Sequence, residues 1–173
     1  ALQKWDNVPT NTLATSKVTF DFKFSNWHNG ESMDMNDILH SLYFTIEWGT
    51  QTDENDKTFD TEFTPRAAQS IQTIRGINQI DSDTIEVYVD YRHFDENEIA
   101  EWAALWSPVP WEITASMEKA VTDGKVSFSR SGATAKSVNW LSLIVPIYAE
   151  IIKENLEEYQ NKKIIPNSLK QSE

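Results

Sequence analysis

Cysteine is absent from the 173 residues, which removes disulfide staples, zinc–thiolate sites and thiol nucleophiles from consideration. Positive charge is scarce too: 15 Lys and Arg stand against 27 Asp and Glu, a formal net charge of −12. Nucleic acids and anionic membrane surfaces are bound through clustered Lys and Arg. Neither partner is therefore expected, and membrane association is expected only through an anchor outside this stretch. No apolar run reaches the roughly 18 residues of a membrane span, and no secretory leader is visible. Asn-x-Ser/Thr glycosylation sequons, internal repeats and low-complexity segments are also missing. The chain opens at Ala1 without an initiator Met, which leads us to expect a processed protein or a piece of a longer one.

What is present is the composition of a folded domain. Hydrophobic residues make up 39% and aromatics 12%, with seven tryptophans, enough to bury a core within one domain spanning 1–173. The clearest pattern runs from Val18 to Gly49. Val18, Phe20, Phe22 and Phe24 alternate with polar residues, the period of a half-buried strand. Asn29-Gly30 supplies a pair that tolerates positive φ and lets the chain reverse. Asp34 stands where an N-cap belongs, with Asp37 three residues on, as in a capping box. Met35, Ile38, Leu39, Leu42, Tyr43 and Ile46 then repeat at helical spacing.

Elsewhere the pattern is coarser. Residues 1–17 read as an extended lead-in, and Thr50 to Thr64 as a polar, acidic loop. That loop lacks the Asp-x-Asp-x-Asp-Gly register and distal Glu of a calcium site, so it is read as solvated. Ile71, Ile74, Ile77 and Ile80 recur every third residue, a slip that a bulge at Gly76 would produce. Asp81-Ser82-Asp83 is turn chemistry, and Ile85, Val87, Val89 and Tyr91 alternate again, predicting a β-hairpin over 71–91. Asp95 and Glu98 mark a helix start carrying Ile99, Trp102, Ala103 and Trp106, ended by Ser107-Pro108-Val109-Pro110. A further helix is predicted from Pro110 to Asp123-Gly124, a short strand at Val126 and Phe128, and a long helix from Pro146 to about Lys162. Its predicted face is Ile147, Tyr148, Ile151, Ile152, Leu156 and Tyr159. The tail 164–173 is expected to fray or dock locally. The class is α+β: a small, mainly antiparallel sheet with several packed helices.

Candidate chemistry is thin. His28, His40 and His93 lie on a turn, a helix and a loop without metal-ligand spacing, and are read as structural or solvent-facing. Ser116-Met117-Glu118-Lys119 and Ser137-Val138-Asn139 match two of the three motifs of serine β-lactamases and penicillin-binding proteins. The third, Lys-Thr/Ser-Gly, is missing, and Ser116 falls mid-helix. Serine acyl transfer therefore ranks last among the readings, and no catalytic residue, metal or cofactor is expected. Trp106, Trp111 and Trp140 are candidate ligand platforms, since indoles offer large rigid faces. Arg130 is a candidate carboxylate partner. An interaction module using the aromatic and acidic surface of 95–112 is a second reading.

Trp27-His28-Asn29-Gly30, followed by Asp34-Met35-Asn36-Asp37-Ile38, resembles a segment of the family 5 extracellular solute-binding proteins. These are the binding components of peptide and nickel ABC importers. They carry W-H-D-G, a short link and a helix opening T-A-E-D-V; here Asn29 replaces Asp and Asp34 replaces Thr. Ile80-Asp81-Ser82-Asp83-Thr84-Ile85 resembles the family's later D-D-x-T-V hairpin. The resemblance covers about residues 18–91. It implies a non-enzymatic, extracellular or cell-surface protein that holds a peptide or similar solute between two lobes and passes it to an ABC permease. Within such a protein this chain would be a small, mainly structural subdomain, with Trp27, Gly30, Asp34 and Asp37 as its fold signature.

Overall fold

The computed structural model describes residues 5–60, 62, 64–107 and 109–170. It is an α+β fold. In chain order the elements are β1 (Ser16–Asp21), α1 (Met35–Gly49), α2 (Thr64–Thr73), β2 (Ile74–Gln79), β3 (Thr84–Val89) and α3 (Glu96–Ala103). They continue with α4 (Trp111–Thr122), β4 (Val126–Ser127), α5 (Arg130–Lys136), β5 (Asn139–Trp140) and α6 (Pro146–Lys162), then a 3-10 turn at Asn167–Leu169. Among the described residues no helix is long and apolar enough to cross a membrane.

The three longer strands form an antiparallel sheet in the order β1-β3-β2. Val18 and Phe20 sit opposite Val87 and Ile85, and Ile77 also faces Val87. The central strand therefore presents Ile85, Val87 and Val89, all fully buried, to the face that α1 and α3 cover. Ile74 pairs with Val89 and Gly76 with Tyr88, which leaves Arg75 as the extra residue of a bulge. That bulge is the one expected from the isoleucine rhythm, and it keeps Ile74 and Ile77 both packed on the core.

The expected hairpin over 71–91 needs correction at its start. Ile71 belongs to α2, a helix the polar and Ala-rich sequence around it did not announce, and the strand begins only at Ile74. Ile80, at the turn, is exposed. β1 likewise stops at Asp21, short of the expected Phe24. The Phe22 amide still donates to the Asp83 carbonyl at 2.8 Å, Phe24 lies past the ladder, and both stay on the core, stacked in a row with Phe20.

α3 ends at Ala103, well before the prolines expected to stop it. Helix α1 provides the reason. Thr45 Oγ1 donates to the Leu105 carbonyl at 2.8 Å, and the Ser107 amide donates to Ser41 Oγ at 2.7 Å. These side chains satisfy backbone groups that a longer helix would have paired, and they leave Trp106 extended, its ring edge-on to Phe20 at 4.6 Å and Phe22 at 5.3 Å.

A second core joins the far end of α1 to α4, α6 and the parallel β4–β5 pair around Trp48, Ala120, Val121, Val126, Leu141 and Ile152. Helix α1 thus belongs to both cores. The stretch 129–145, unreadable from sequence, is α5 and β5, held by Ser129 as N-cap and by Ser137 in the left-handed region at φ 54. In α6 the expected face is partly wrong: Ile147 is 65% exposed, whereas Asn155 is buried and donates to the Ser116 carbonyl at 2.9 Å. The C-terminal segment docks, because Ser168 is buried and its carbonyl accepts from Trp5 Nε1 at 3.0 Å.

Candidate functional site

Trp27, Gly30, Asp34 and Asp37 build a corner of the molecule. The Trp27 amide donates to the Glu31 carbonyl at 2.8 Å and the Gly30 amide to the Trp27 carbonyl at 2.9 Å. Gly30 reaches φ +90 in open space, a conformation that glycine adopts without steric cost. Asp34 caps α1 from an extended backbone, accepts from the Asn36 amide at 2.8 Å, and forms the full capping box with Asp37.

Asp37 does more than cap. It is buried, and its Oδ2 accepts from the Asp34 amide at 3.1 Å and from Trp27 Nε1 at 3.3 Å. Its Oδ1 accepts from the Trp111 amide, the first residue of α4, at 2.9 Å. One carboxylate therefore ties the Trp27 turn, the start of α1 and the start of α4 together.

These three pieces and the C-terminal end of α6 enclose a cleft of about 760 Å³. Its apolar surface comes from Trp27, Trp111, Ile113, Tyr159 and Ile164; its charge comes from Glu31, Asp34, Asp37 and Glu112, with Lys163 as the cation on the α6 side. Glu112 is solvent-accessible, yet the concave walls strip part of its hydration. This desolvation, together with the Asp37, Asp34 and Glu31 carboxylates, raises its pKa. Burial likewise raises the Tyr159 phenol. The arrangement offers carboxylate charge and aromatic surface side by side.

The four ligand candidates read from sequence part company. Trp111 lines this cleft, while Trp106 lies in the sheet core. Arg130 and Trp140 meet each other, the guanidinium 5.2 Å from the ring centroid, and Trp140 Nε1 donates to the Phe128 carbonyl at 2.9 Å. Beside them Glu62 caps α5, accepting from Ser131 Oγ at 2.6 Å and from the Arg130 and Ser131 amides, both at 3.2 Å. The sequence does not single out Glu31 or the α6 end as site residues, and Glu112 enters only within the aromatic and acidic surface of 95–112. They sit far apart along the chain, and no short-range spacing marks them.

A second polar group is fully interior. His40 on α1 has Nδ1 3.0 Å from Ser168 Oγ and Nε2 3.3 Å from Glu118 Oε2, and Trp48 Nε1 donates to Glu118 Oε1 at 2.8 Å. The sequence placed His40 on a helix but could not show its acidic partner, which stands on another helix. Ser116 is fully buried and its Oγ has no hydrogen-bond partner among the described residues, and the Lys119 ammonium is held by Asp123 at 2.8 Å and Glu158 at 3.7 Å. Among the described residues no three metal-ligating side chains converge. No family model matches the chain, and no curated protein matches it either.

Proposed function

We propose that this chain is one portion of an extracellular solute-binding component of an ABC importer for peptides or similar solutes. In that reading it makes and breaks no bond, its role is largely structural, and the solute is enclosed by lobes of the complete protein that close on it. The observation that carries the reading is the order of two motifs along the chain. Trp27-His28-Asn29-Gly30 leads into the Asp34/Asp37 helix start, and the Asp81-Ser82-Asp83 turn follows within a hairpin. Support also comes from what these residues do: Gly30 adopts positive φ, Asp34 and Asp37 form a capping box, and Asp81 accepts from the Asp83 amide at 3.1 Å between β2 and β3.

The test is made on the full-length parent polypeptide. Thermal unfolding is followed with a panel of short peptides and nickel chelates, since a ligand at a hundred times its Kd stabilises the folded state by about 2.7 kcal/mol. A saturable rise in Tm with at least one peptide is the expected result. No rise across the panel, or a gene that ends near Glu173 without permease and ATPase neighbours, counts against the importer. A second reading, an interaction module, is favoured by the cleft between Trp27 and Trp111, which lies on this chain alone. Binding by the 173-residue chain in the absence of further lobes would support it.

A further inference from the structure

We infer that the exposed apolar turn between β5 and α6 is a contact surface for a second copy of this chain, giving a weak two-fold dimer. The inference concerns the chain's own surface and does not depend on the importer reading.

Leu143, Ile144, Val145, Pro146 and Ile147 are five consecutive apolar residues, all of them exposed. Single exposed apolar side chains are ordinary on a protein surface, but a contiguous run is not. The fold does not account for this one. The Val145 amide donates to the Ser142 carbonyl at 3.0 Å, closing a tight turn with Leu143 and Ile144 at its two central positions. Such positions are served by Gly, Pro, Asn, Asp or Ser, so backbone geometry gives no reason for two aliphatic side chains there. The second core does not use them either: it takes Leu141 before the turn and Tyr148, Ile151 and Ile152 after it. Ile144 is left 93% exposed.

Charge and area point to the occupant. A net charge of −12 keeps two copies apart wherever their carboxylates face each other. From Gly124 to Ala149 the chain carries no Asp or Glu, its longest such stretch, and the turn lies within it. Charges at the margin are answered inside the chain. The Arg130 guanidinium lies over the Trp140 ring, Glu62 takes the first amides of α5, and Glu150 has Lys153 at 3.7 Å. Lys125 and Lys136 precede the paired residues of β4 and β5, whereas the turn follows them. The patch therefore calls for neither an acidic nor a basic partner, and it lacks the Lys and Arg cluster that holds an anionic bilayer. A second copy brings the same uncharged apolar surface, and a self-complementary patch closes as a two-fold dimer. With half-exposed Trp140 the run presents on the order of 500 Å² of mainly apolar surface, near the top of the range for a monomer's largest patch. Two copies face to face bury about 1,000 Å², enough for a specific contact but short of the roughly 1,200–2,000 Å² of stable complexes. The dimer is weak for that reason.

The test is sedimentation equilibrium of the 173-residue chain from about 10 µM to 1 mM, a range suited to a small interface. A reversible monomer–dimer equilibrium is expected. It should tighten severalfold as NaCl rises from about 0.05 to 0.5 M, because salt screens the repulsion between two acidic chains and leaves the apolar contact intact. Ile144→Asp should weaken dimerisation about tenfold or more by placing a charge in the contact, with the Tm of the monomer unchanged. Phe94→Asp is the control: Phe94 is 95% exposed but lies on the loop before α3, and its replacement should leave the equilibrium as it is. A chain that stays monomeric throughout the range, a dimer that Ile144→Asp does not weaken, or one that Phe94→Asp weakens equally would overturn the inference. So would flotation of the monomer with phosphatidylcholine vesicles that Ile144→Asp abolishes, which assigns the turn to a bilayer. In the full-length parent polypeptide, Ile144→Cys shielded from maleimide while the protein is monomeric also overturns it, and assigns the turn to a contact with another lobe.

Discussion

Replacing Asp37 by alanine removes the acceptor for three donors at once: the Asp34 amide, the Trp111 amide and the Trp27 indole, at 3.1, 2.9 and 3.3 Å. A hydrogen bond to a charged group contributes about 1.5–3 kcal/mol, and a buried donor left unpaired loses that and its hydration. The long indole contact is the weakest of the three, and removing the carboxylate also relieves its own desolvation. The net expectation is a loss of about 3–4 kcal/mol, a large part of the 5–15 kcal/mol typical of a domain. In a chain of this size that lowers Tm by roughly 6–16 °C. Asp34→Ala, which removes the cap alone, should cost about 0.5–2 kcal/mol. Urea unfolding by circular dichroism compares the two, and hydrogen exchange separates them in space. Asp37→Ala should deprotect the starts of both α1 and α4, Asp34→Ala that of α1 only. If Asp37→Ala costs no more than Asp34→Ala, or leaves the Trp111 amide protected, then Asp37 is an ordinary cap and does not join the two helices.

Gly132→Ala would place a Cβ 2.5 Å from Ser127 Oγ and 3.0 Å from Ser129 Oγ. Ser127 is fully buried, so a loss of about 1–3 kcal/mol is expected in chemical unfolding. Gly76→Ala meets only the end of the exposed Val8 side chain at 3.0 Å and should cost less. Burial pushes Asp56 up, but hydrogen bonds from the amides and hydroxyls of Thr52 and Thr58 outweigh it and hold its pKa at about 2. A carboxylate depressed in the folded state contributes stability that is complete above its unfolded pKa near 3.8 and disappears as pH falls through about 2. Unfolding midpoints measured from pH 6 to 2 should therefore fall less steeply below pH 4 in Asp56→Asn. Trp48→Phe leaves the buried Glu118 without its indole donor and is expected to cost about 2–4 kcal/mol in urea melts. Ser168→Ala removes the hydroxyl at His40 and should raise hydrogen exchange across 164–170 while changing global stability by about 1 kcal/mol.

Local signals were the legible ones. The capping box at Asp34 and Asp37, the cap at Asp95, Pro146 at the first turn of α6 and the bulge at Gly76 all depend on residues within a few positions of each other. Such patterns survive folding because tertiary contacts reinforce them. What escaped was decided across the fold. Trp106 looked helical, but Ser41 and Thr45 on α1 claim the backbone of 105–107, and the Phe20–Phe22 pair takes its ring. Ile147 fitted the same periodic face as Ile152, yet the second core takes Ile152, leaves Ile147 exposed and reaches α4 through Asn155. The partnership of His40 with Glu118 and Ser168 links residues 78 and 128 positions apart by number and three different elements. No periodicity reports such a contact.

The same reasoning explains why the Trp27–Asp37 motif was read as architecture while its other use stayed hidden. A tight turn and a capping box are sufficient reasons for Gly30 and Asp34. They do not require Asp37 to be buried, and they do not explain why it accepts from the first amide of α4. Only when α4 is docked does Asp37 hold Trp27 and Trp111 on the wall of one cleft, with Glu112 beside them. An N3 residue can cap its own helix without fixing a neighbour. Here it does both, so the geometry of the cleft is set by the same bonds that start α1. Any substitution that frees Asp37 from Trp111 should therefore change the cleft first, and reach the sheet core of Ile85, Val87 and Val89 only through Met35, the first residue of α1, which packs in that core.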